Sequence, residues 1–376
     1  MKDFRFHLPT KIYFARGNFQ KVGEILGDRW KRILLVTGKK FAREYGLVDS
    51  LRKQLKGTYI IHYDGITPNP KVDEVIEASG IVREEKLEMV LALGGGSVMD
   101  ASKVIAAYSV SEGELWDYIS GKKSFSGALP VVAIPTVAAS GSEADPYAVI
   151  THPELKEKRG VFSPFFYPEI AIWDPKLTYT LPLTTLGDGV VDIISHALEG
   201  YISGEKASLQ NGFTEIIIKE VMGAWEKIIR GEEPGETRDI LCWASTLAIS
   251  QFLSAGRNGH FVLHGIEHAI SGIYDHVSHG AGLAALMVPY LFVVGRKRPE
   301  RVSALTKALF DVYHWETGLK ELEEWFKGNK LFRTLTSLGA DDLDAIEEKA
   351  WETSGERLAS VGLSREELRE ILELAR

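Results

Sequence analysis

The sequence predicts two parts: an α/β domain over residues 1–180 and an all-helical domain over residues 181–376. Three observations carry this. Short apolar runs alternate with helix-like segments through the first half, the pattern of βαβ units around a mostly parallel sheet. After about Leu181, strand-like runs nearly vanish and amphipathic helical segments take over. The length, 376 residues, suits two domains with ample material for their cores.

The strands are read in order. "RILLVTG" (32–38) is a buried strand ending in a turn glycine, and "TYIIHYDGI" (58–66) is a second, punctuated by "TPNP". "LEMVLALGGGS" (87–97) runs into glycines, "LPVVAIPT" (129–136) into small and hydroxyl residues, and "EIAIWDP" (169–175) closes the set. Between them, "NFQKVGEILGDRW", "GLVDSLRKQL", "KVDEVIEASGIVREEK" and "VMDASKVIAAYSV" carry helical periodicity. Further on, "GFTEIIIKEVMGAWEKIIRG", "RDILCWASTLAISQFL" and "SREELREILELAR" do the same. No internal repeat or low-complexity linker interrupts the chain.

Composition removes several functions. Asp+Glu exceeds Lys+Arg by 52 to 44, a net charge of −8 with no basic tract, which argues against a nucleic-acid partner. The single cysteine, Cys242, excludes internal disulfides and cysteine-ligated zinc. No run of eighteen uninterrupted apolar residues exists, so no membrane association is expected. The first residues lack the apolar run of a signal peptide, and the cytoplasm is the expected location.

Four stretches carry chemistry. In "LGGGSVMDASK" (93–103), glycines between a strand and a helix let a ligand approach the backbone. The helix N-terminus offers unpaired N–H groups suited to a pyrophosphate. The pattern is not GxGxxG, so the standard Rossmann fingerprint is absent, and such a turn is as readily structural. In "AIPTVAASGSEAD" (133–145), Thr136, Ser140 and Ser142 are placed to donate hydrogen bonds at the sheet's carboxyl edge, where ligands of α/β sheets bind. A plain polar loop is the equal alternative.

In "GVVDIISHALEGY" (189–201), Asp192 and His196 are four apart, so a helix presents both on one face. Taken alone, such a pair is more often a packing or capping pair than a metal site. "HGIEHAISGIYDHVSHGAG" (264–282) changes that weighting, because it holds four of the chain's ten histidines. His264 and His268 share a helical face that "ISGIYD" extends by about two turns, with His276 and His279 in a loop near its end. His264 and one loop histidine, joined to Asp192 and His196, make one carboxylate and three imidazoles, a set that takes Fe(II) or Zn(II).

Together and in this order, "TPNP", "GGGSVMDASK", "AIPTVAASGSE", "TLPLTTLGDGVVDIISHALEGY" and "HGIEHAISGIYDHVSHGAGLA" resemble the group III metal-dependent, iron-containing alcohol dehydrogenases. The chain is similar in particular to the butanol dehydrogenase and aldehyde reductase branch. The resemblance covers nearly the whole chain. It implies a dehydroquinate synthase-like fold: an α/β NAD(P)-binding domain, an all-helical catalytic domain and an active site in the cleft between them. It implies hydride transfer between primary alcohols or aldehydes and a nicotinamide cofactor, with one divalent metal, Fe(II) first and Zn(II) second. It also implies a homodimer or larger homo-oligomer.

Carried over by position, the resemblance puts the metal on Asp192, His196, His264 and His279, with His268 beside it as a catalytic proton carrier. His264 and His279 are fifteen apart, one residue more than the family's usual interval. The "HGAGLA" context selects His279, and His276 is the substitute. For the cofactor, the resemblance implies Gly95, Gly96 and Ser97 at the pyrophosphate and Asp100 toward the nicotinamide. Thr136 and Ser140 match the second loop, Asn69 and Lys158 the riboses, and the 177–181 segment from Leu177 to Leu181 the adenosine side.

NAD-preferring relatives often carry an Asp at the end of the first of these strands, where this chain reads "VTGKK". Gly38 removes a carboxylate that would repel a 2′-phosphate, and Lys39 and Lys40 would attract one. NADP(H) is therefore expected over NAD(H). The rival readings are a glycerol or polyol dehydrogenase, another member of the same superfamily, and a non-catalytic NADP-binding protein. The histidine-rich segment lacks the cations a phosphorylated or carboxylated substrate would need, and a sensor has no use for the full ligand set.

Overall fold

The computed structural model describes residues 1–232 and 235–376. The chain divides into two compact units: Leu8–Leu181, and Pro182–Arg376 together with Met1–His7. The first seven residues thus pack with the later part of the chain.

The Leu8–Leu181 unit is built on six parallel strands: β1 (Lys11–Phe14), β2 (Arg32–Gly38), β3 (Tyr59–Ile66), β4 (Met89–Gly94), β5 (Val131–Pro135) and, after the ribbon described next, β8 (Ile170–Trp173). Their order is β1-β8-β5-β4-β2-β3. A separate antiparallel ribbon pairs β6 (Tyr147–His152) with β7 (Glu157–Phe162). The central strands are apolar through their middles because both faces are covered. Along β2, Ile33 and Leu35 enter one core while Leu34 and Val36 enter the other. Along β4, Val90 and Ala92 likewise oppose Met89, Leu91 and Leu93.

The five apolar runs read from the sequence are β2, β3, β4, β5 and β8. Three strands went unread. β1 is four residues on the sheet edge with an alternating, half-exposed pattern. The ribbon "YAVITH"/"EKRGVF" is partly exposed on both strands and turns through "PELK". The expected helix at "NFQKVGEILGDRW" forms only as a 3₁₀ turn, Asn18–Lys21, and the short helix Val22–Leu26.

The other unit is helical. Four of its helices matter below: Leu183–Ser203, Val262–Ile273, His279–Lys297 and Leu343–Ser360. The Val262–Ile273 helix stops at Ile273, two residues short of the extension expected from "ISGIYD". Tyr274 leaves the helix, and its hydroxyl accepts from the Asp342 amide at 3.1 Å. By length and composition the His279–Lys297 helix could cross a membrane, but most of it is buried inside the unit. It is a core helix here.

Two glycines of "HGAG" explain the packing of these helices. A Cβ on Gly280 would lie 2.2 Å from the carbonyl oxygen of Asp188, and one on Gly282 would lie 2.9 Å from Glu267 Cγ. Both helices adjoining His279–Lys297 approach too closely for any side chain at these positions.

Candidate metal centre and nucleotide cradle

Three helices bring four side chains together. Asp192 and His196 lie one turn apart on Leu183–Ser203, His264 lies in the first turn of Val262–Ile273, and His279 is the first residue of His279–Lys297. Asp192 Oδ1 is the common point. His264 Nε2 is 3.4 Å from it, His196 Nδ1 is 3.6 Å and His279 Nε2 is 3.7 Å. The His196 and His264 rings stack with centroids 4.5 Å apart, and His279 stands 5.1 Å from His264. Asp192, His196 and His264 are buried; His279 keeps about a quarter of its side chain open.

Three nitrogens surround one carboxylate oxygen: His264 Nε2 makes a long hydrogen bond to it at 3.4 Å, and the other two stand beyond hydrogen-bond length. His196 Nδ1 is buried with no hydrogen-bond partner among the described residues, a costly state for a polar atom unless something else engages it. The donors are one hard oxygen and three borderline nitrogens, and they fit a first-row divalent ion. Burial opposes charge on Asp192, yet His196, His264 and His279 outweigh it and hold the carboxylate well below the usual range. His196 is pushed down to about 3, chiefly by burial, and so stands neutral with a lone pair available. His264 is raised to about 9: burial works against its charge, but Glu199 and Asp192 prevail. A metal bound at this point would displace that proton.

His268 lies one turn beyond His264, partly exposed, its ring 6.4 Å from His264 and 5.5 Å from His279. His276 is elsewhere. It is exposed, and its Nε2 donates to the Leu338 carbonyl at 3.0 Å.

Two carboxylates that the sequence reading passed over complete the cluster. Glu199 Oε1 meets His264 Nδ1, and Glu267 Oε2 meets His279 Nδ1. Both glutamates are fully buried. The available signal was a repeated H-x-x-E: "HALE" at 196–199 and "HGIE" at 264–267.

The second constellation lies in the Leu8–Leu181 unit, at the carboxyl ends of the parallel strands. The chain passes from β2 outward to β3 and returns to β4 on β2's other side, so a crevice opens between the ends of β2 and β4. Gly38 ends β2, followed by the exposed Lys39 and Lys40. β4 ends at Gly94. Gly95 then caps the helix Gly96–Tyr108 and, as a glycine, offers no side-chain cap, and Ser97 lies in the first turn. Beside it, the Thr136 amide bonds to the Gly94 carbonyl at 3.0 Å. A Cβ on Gly96 would lie 2.7 Å from Ser140 Oγ, so the two loops touch.

The remaining expected cofactor residues are dispersed around this unit. Asn69 is buried in the left-handed conformation, φ 52°, and Lys158 is buried on β7. Leu177 and Leu181 are half-buried after β8, with Leu177 packed on the sheet's core. Asp100 is committed to the protein. Its carboxylate accepts from Ser142 Oγ at 2.5 Å and from the Val149 amide at 2.9 Å, and so braces the loop after β5 rather than reaching outward. Another brace was not read from the sequence: Lys103, fully buried, donates to Asp145 Oδ1 at 2.6 Å and to the Tyr147 carbonyl at 2.8 Å.

Comparison with known proteins decides the lineage. Residues 9–175 match the model of the iron-containing alcohol dehydrogenases, and residues 187–375 match the C-terminal model of the same family. The chain belongs to the iron-containing alcohol dehydrogenase family. It is 35% identical to a probable NADH-dependent butanol dehydrogenase of Bacillus subtilis, over 93% of this chain and 94% of that one. It is 31% identical to the NADPH-dependent aldehyde reductase YqhD of Escherichia coli, over 78% and 76%. The crystal structure of NADH-dependent butanol dehydrogenase A from Thermotoga maritima superposes with a TM-score of 0.94 at 34% identity, covering 100% of this chain and 99% of that one. The protein is thus an oxidoreductase with the α/β and all-helical architecture of this family.

Proposed function

We propose that the protein interconverts primary alcohols and aldehydes by hydride exchange with a nicotinamide dinucleotide, at a single divalent metal held by Asp192, His196, His264 and His279. The observation that carries this is the convergence of three imidazole nitrogens within 3.4–3.7 Å of one buried carboxylate oxygen. Butanol dehydrogenases and an aldehyde reductase among the relatives support the substrate class. Fe(II) is the expected ion and Zn(II) the alternative, since the donors suit both.

When bound, the metal supplies Lewis acidity toward the alcohol or carbonyl oxygen, and the nicotinamide gives or takes the hydride. The chain does the rest. Asp192 contributes the one negative charge of the ligand set, and the imidazoles would bind as neutral donors. Burial of Asp192, His196 and His264 keeps bulk water from competing for the same positions. His268, partly exposed beside His264 and His279, passes the hydroxyl proton to solvent. Gly95, Gly96 and Ser97 at the uncapped helix start receive the pyrophosphate. Thr136 and Ser140 flank it, and Asn69, Lys158, Leu177 and Leu181 take the riboses and adenosine. Asp100 contributes by holding the second loop.

We read the cofactor as NADP(H) over NAD(H). The named relatives use either, so the reading rests on this chain's own β2 terminus, where Gly38 is followed by exposed Lys39 and Lys40. A cytoplasmic homodimer or larger homo-oligomer is the expected form. The test is butanal reduction followed at the nicotinamide absorbance, with NADPH and NADH in parallel, before chelation, after it, and after reloading with Fe(II) or Zn(II). Activity that is lost on chelation, restored by either ion and greater with NADPH supports the reading. Equal butanal reduction by metal-free protein overturns it.

A further inference from the structure

We infer that Glu199 and Glu267 are positioning carboxylates of the metal centre, each locking one histidine in the tautomer that turns its Nε2 toward Asp192. The inference rests on the metal-centre reading above and extends it to two residues outside the ligand set.

The geometry is the same at both. Glu199 Oε1 meets His264 Nδ1, while His264 Nε2 faces Asp192 Oδ1. Glu267 Oε2 meets His279 Nδ1, while His279 Nε2 faces the same Asp192 oxygen. A carboxylate only accepts, so the contact places the proton on Nδ1; a neutral imidazole then has its lone pair on Nε2 alone. The negative charge behind each ring also raises the basicity of that lone pair.

Each glutamate is itself fixed. Glu199 accepts from the Leu263 amide at 2.7 Å and from the His264 amide at 3.1 Å, so it closes the start of the helix that carries His264. Glu267 sits against Gly282, where a Cβ would come within 2.9 Å of its Cγ. Both carboxylates are fully buried, a costly placement for charge that a partner must offset. The arrangement is a relay through the helices. Glu199, three residues after His196, braces His264; Glu267, three residues after His264, braces His279. Among the described residues no carboxylate braces His196 in this way, and it presents Nδ1 rather than Nε2.

The test uses Glu199→Gln and Glu267→Gln in the full chain, stripped of metal and titrated with Zn(II) against a chromophoric chelator, with Co(II) as spectroscopic probe. Glutamine keeps an oxygen for the helix start but removes the charge that holds the Nδ1 proton. The expected result is a loss of Zn(II) affinity of about 10–100-fold in each variant, with a changed Co(II) d–d spectrum. Glu267→Gln does not touch the helix start and carries the test alone if Glu199→Gln does not fold. Metal affinity within about twofold of wild type, with an unchanged Co(II) spectrum, overturns the inference. A loss in His268→Ala equal to that in Glu267→Gln also overturns it, because it would put Glu267 and His268 in the coordination sphere. A wild-type chain that takes up no metal overturns the metal-centre reading itself, whereas tight wild-type binding with unaffected glutamate variants removes only this inference.

Discussion

His276 Nε2 donates to the carbonyl oxygen of Leu338 at 3.0 Å, and this bond ties the surplus histidine of the cluster to the segment before Leu343–Ser360, away from Asp192. His279, three residues on, faces Asp192 instead. His276→Ala is therefore expected to keep its metal and activity and to lose at most about 1 kcal/mol of stability, the worth of one exposed hydrogen bond. His279→Ala is expected to lose most of its metal. Metal content of the two purified variants checks this, and loss of metal in His276→Ala alone would reverse the assignment.

Gly280→Ala puts a methyl 2.2 Å from the Asp188 carbonyl oxygen, so the start of the His279–Lys297 helix must move. Overpacking of this kind costs roughly 1–3 kcal/mol, here with backbone as the obstacle. The expected outcome is a lower thermal midpoint together with weakened metal binding, since His279 is the adjacent residue. Unfolding curves recorded with and without added Zn(II) would measure both, and an unchanged midpoint would contradict the packing argument.

Burial raises Asp100 to about 6, against the opposing pull of Lys103. The folded chain therefore holds this proton more tightly than the unfolded chain does. Its contribution to stability is fully present below about pH 4 and is lost as pH rises through about 6. Asp100→Asn keeps groups able to bond Ser142 and Val149 and removes this titration. It should flatten the stability profile between pH 4 and 6, a change of roughly 1–2 kcal/mol once screening at its open edge is allowed for. Denaturant midpoints across that range decide it; identical slopes in wild type and variant would count against the burial argument.

Lys103 and Asp145 are a buried pair at 2.6 Å, and the lysine also holds the Tyr147 carbonyl. Lys103→Ala strands the Asp145 charge and should cost roughly 3–5 kcal/mol. Because this pair fixes the loop carrying Thr136 and Ser140 from its far side, the variant should also bind the dinucleotide more weakly. Calorimetric titration with NADPH at a temperature where the variant stays folded would detect that.

At the end of β2, a Cβ on Gly38 would find its nearest neighbour 3.7 Å away, and its backbone is outside the left-handed region, so Gly38→Asp fits. The new carboxylate should lower kcat/KM for NADPH by roughly 10–100-fold, the worth of a charged contact, and spare or improve NADH. Removing both Lys39 and Lys40 should act in the same direction. A double variant as fast with NADPH as wild type would place the 2′-phosphate elsewhere.

The sheet was legible because β2, β4, β5 and β8 are apolar on both faces, which only a covered parallel strand requires. β1 and the β6–β7 ribbon escaped because edge and half-exposed strands carry no such run. At the metal centre, helical spacing pairs Asp192 with His196 and marks His264, but spacing alone does not choose between His276 and His279. That choice is made by where the helix stops at Ile273 and by the Leu338 carbonyl, neither of which is local in sequence. The burial of Glu199 and Glu267 was invisible for a similar reason: a glutamate on a helix reads as solvated until the neighbouring helix is in place. The inward turn of Asp100 depends on Val149, 49 residues away.

The most direct measurement is the metal content of the protein purified without oxygen, wild type beside His264→Ala. About one Fe or Zn per wild-type chain and almost none in the variant is the predicted result. Equal metal in both, or none in a wild type that still reduces butanal with NADPH, would contradict the centre built on Asp192, His196, His264 and His279.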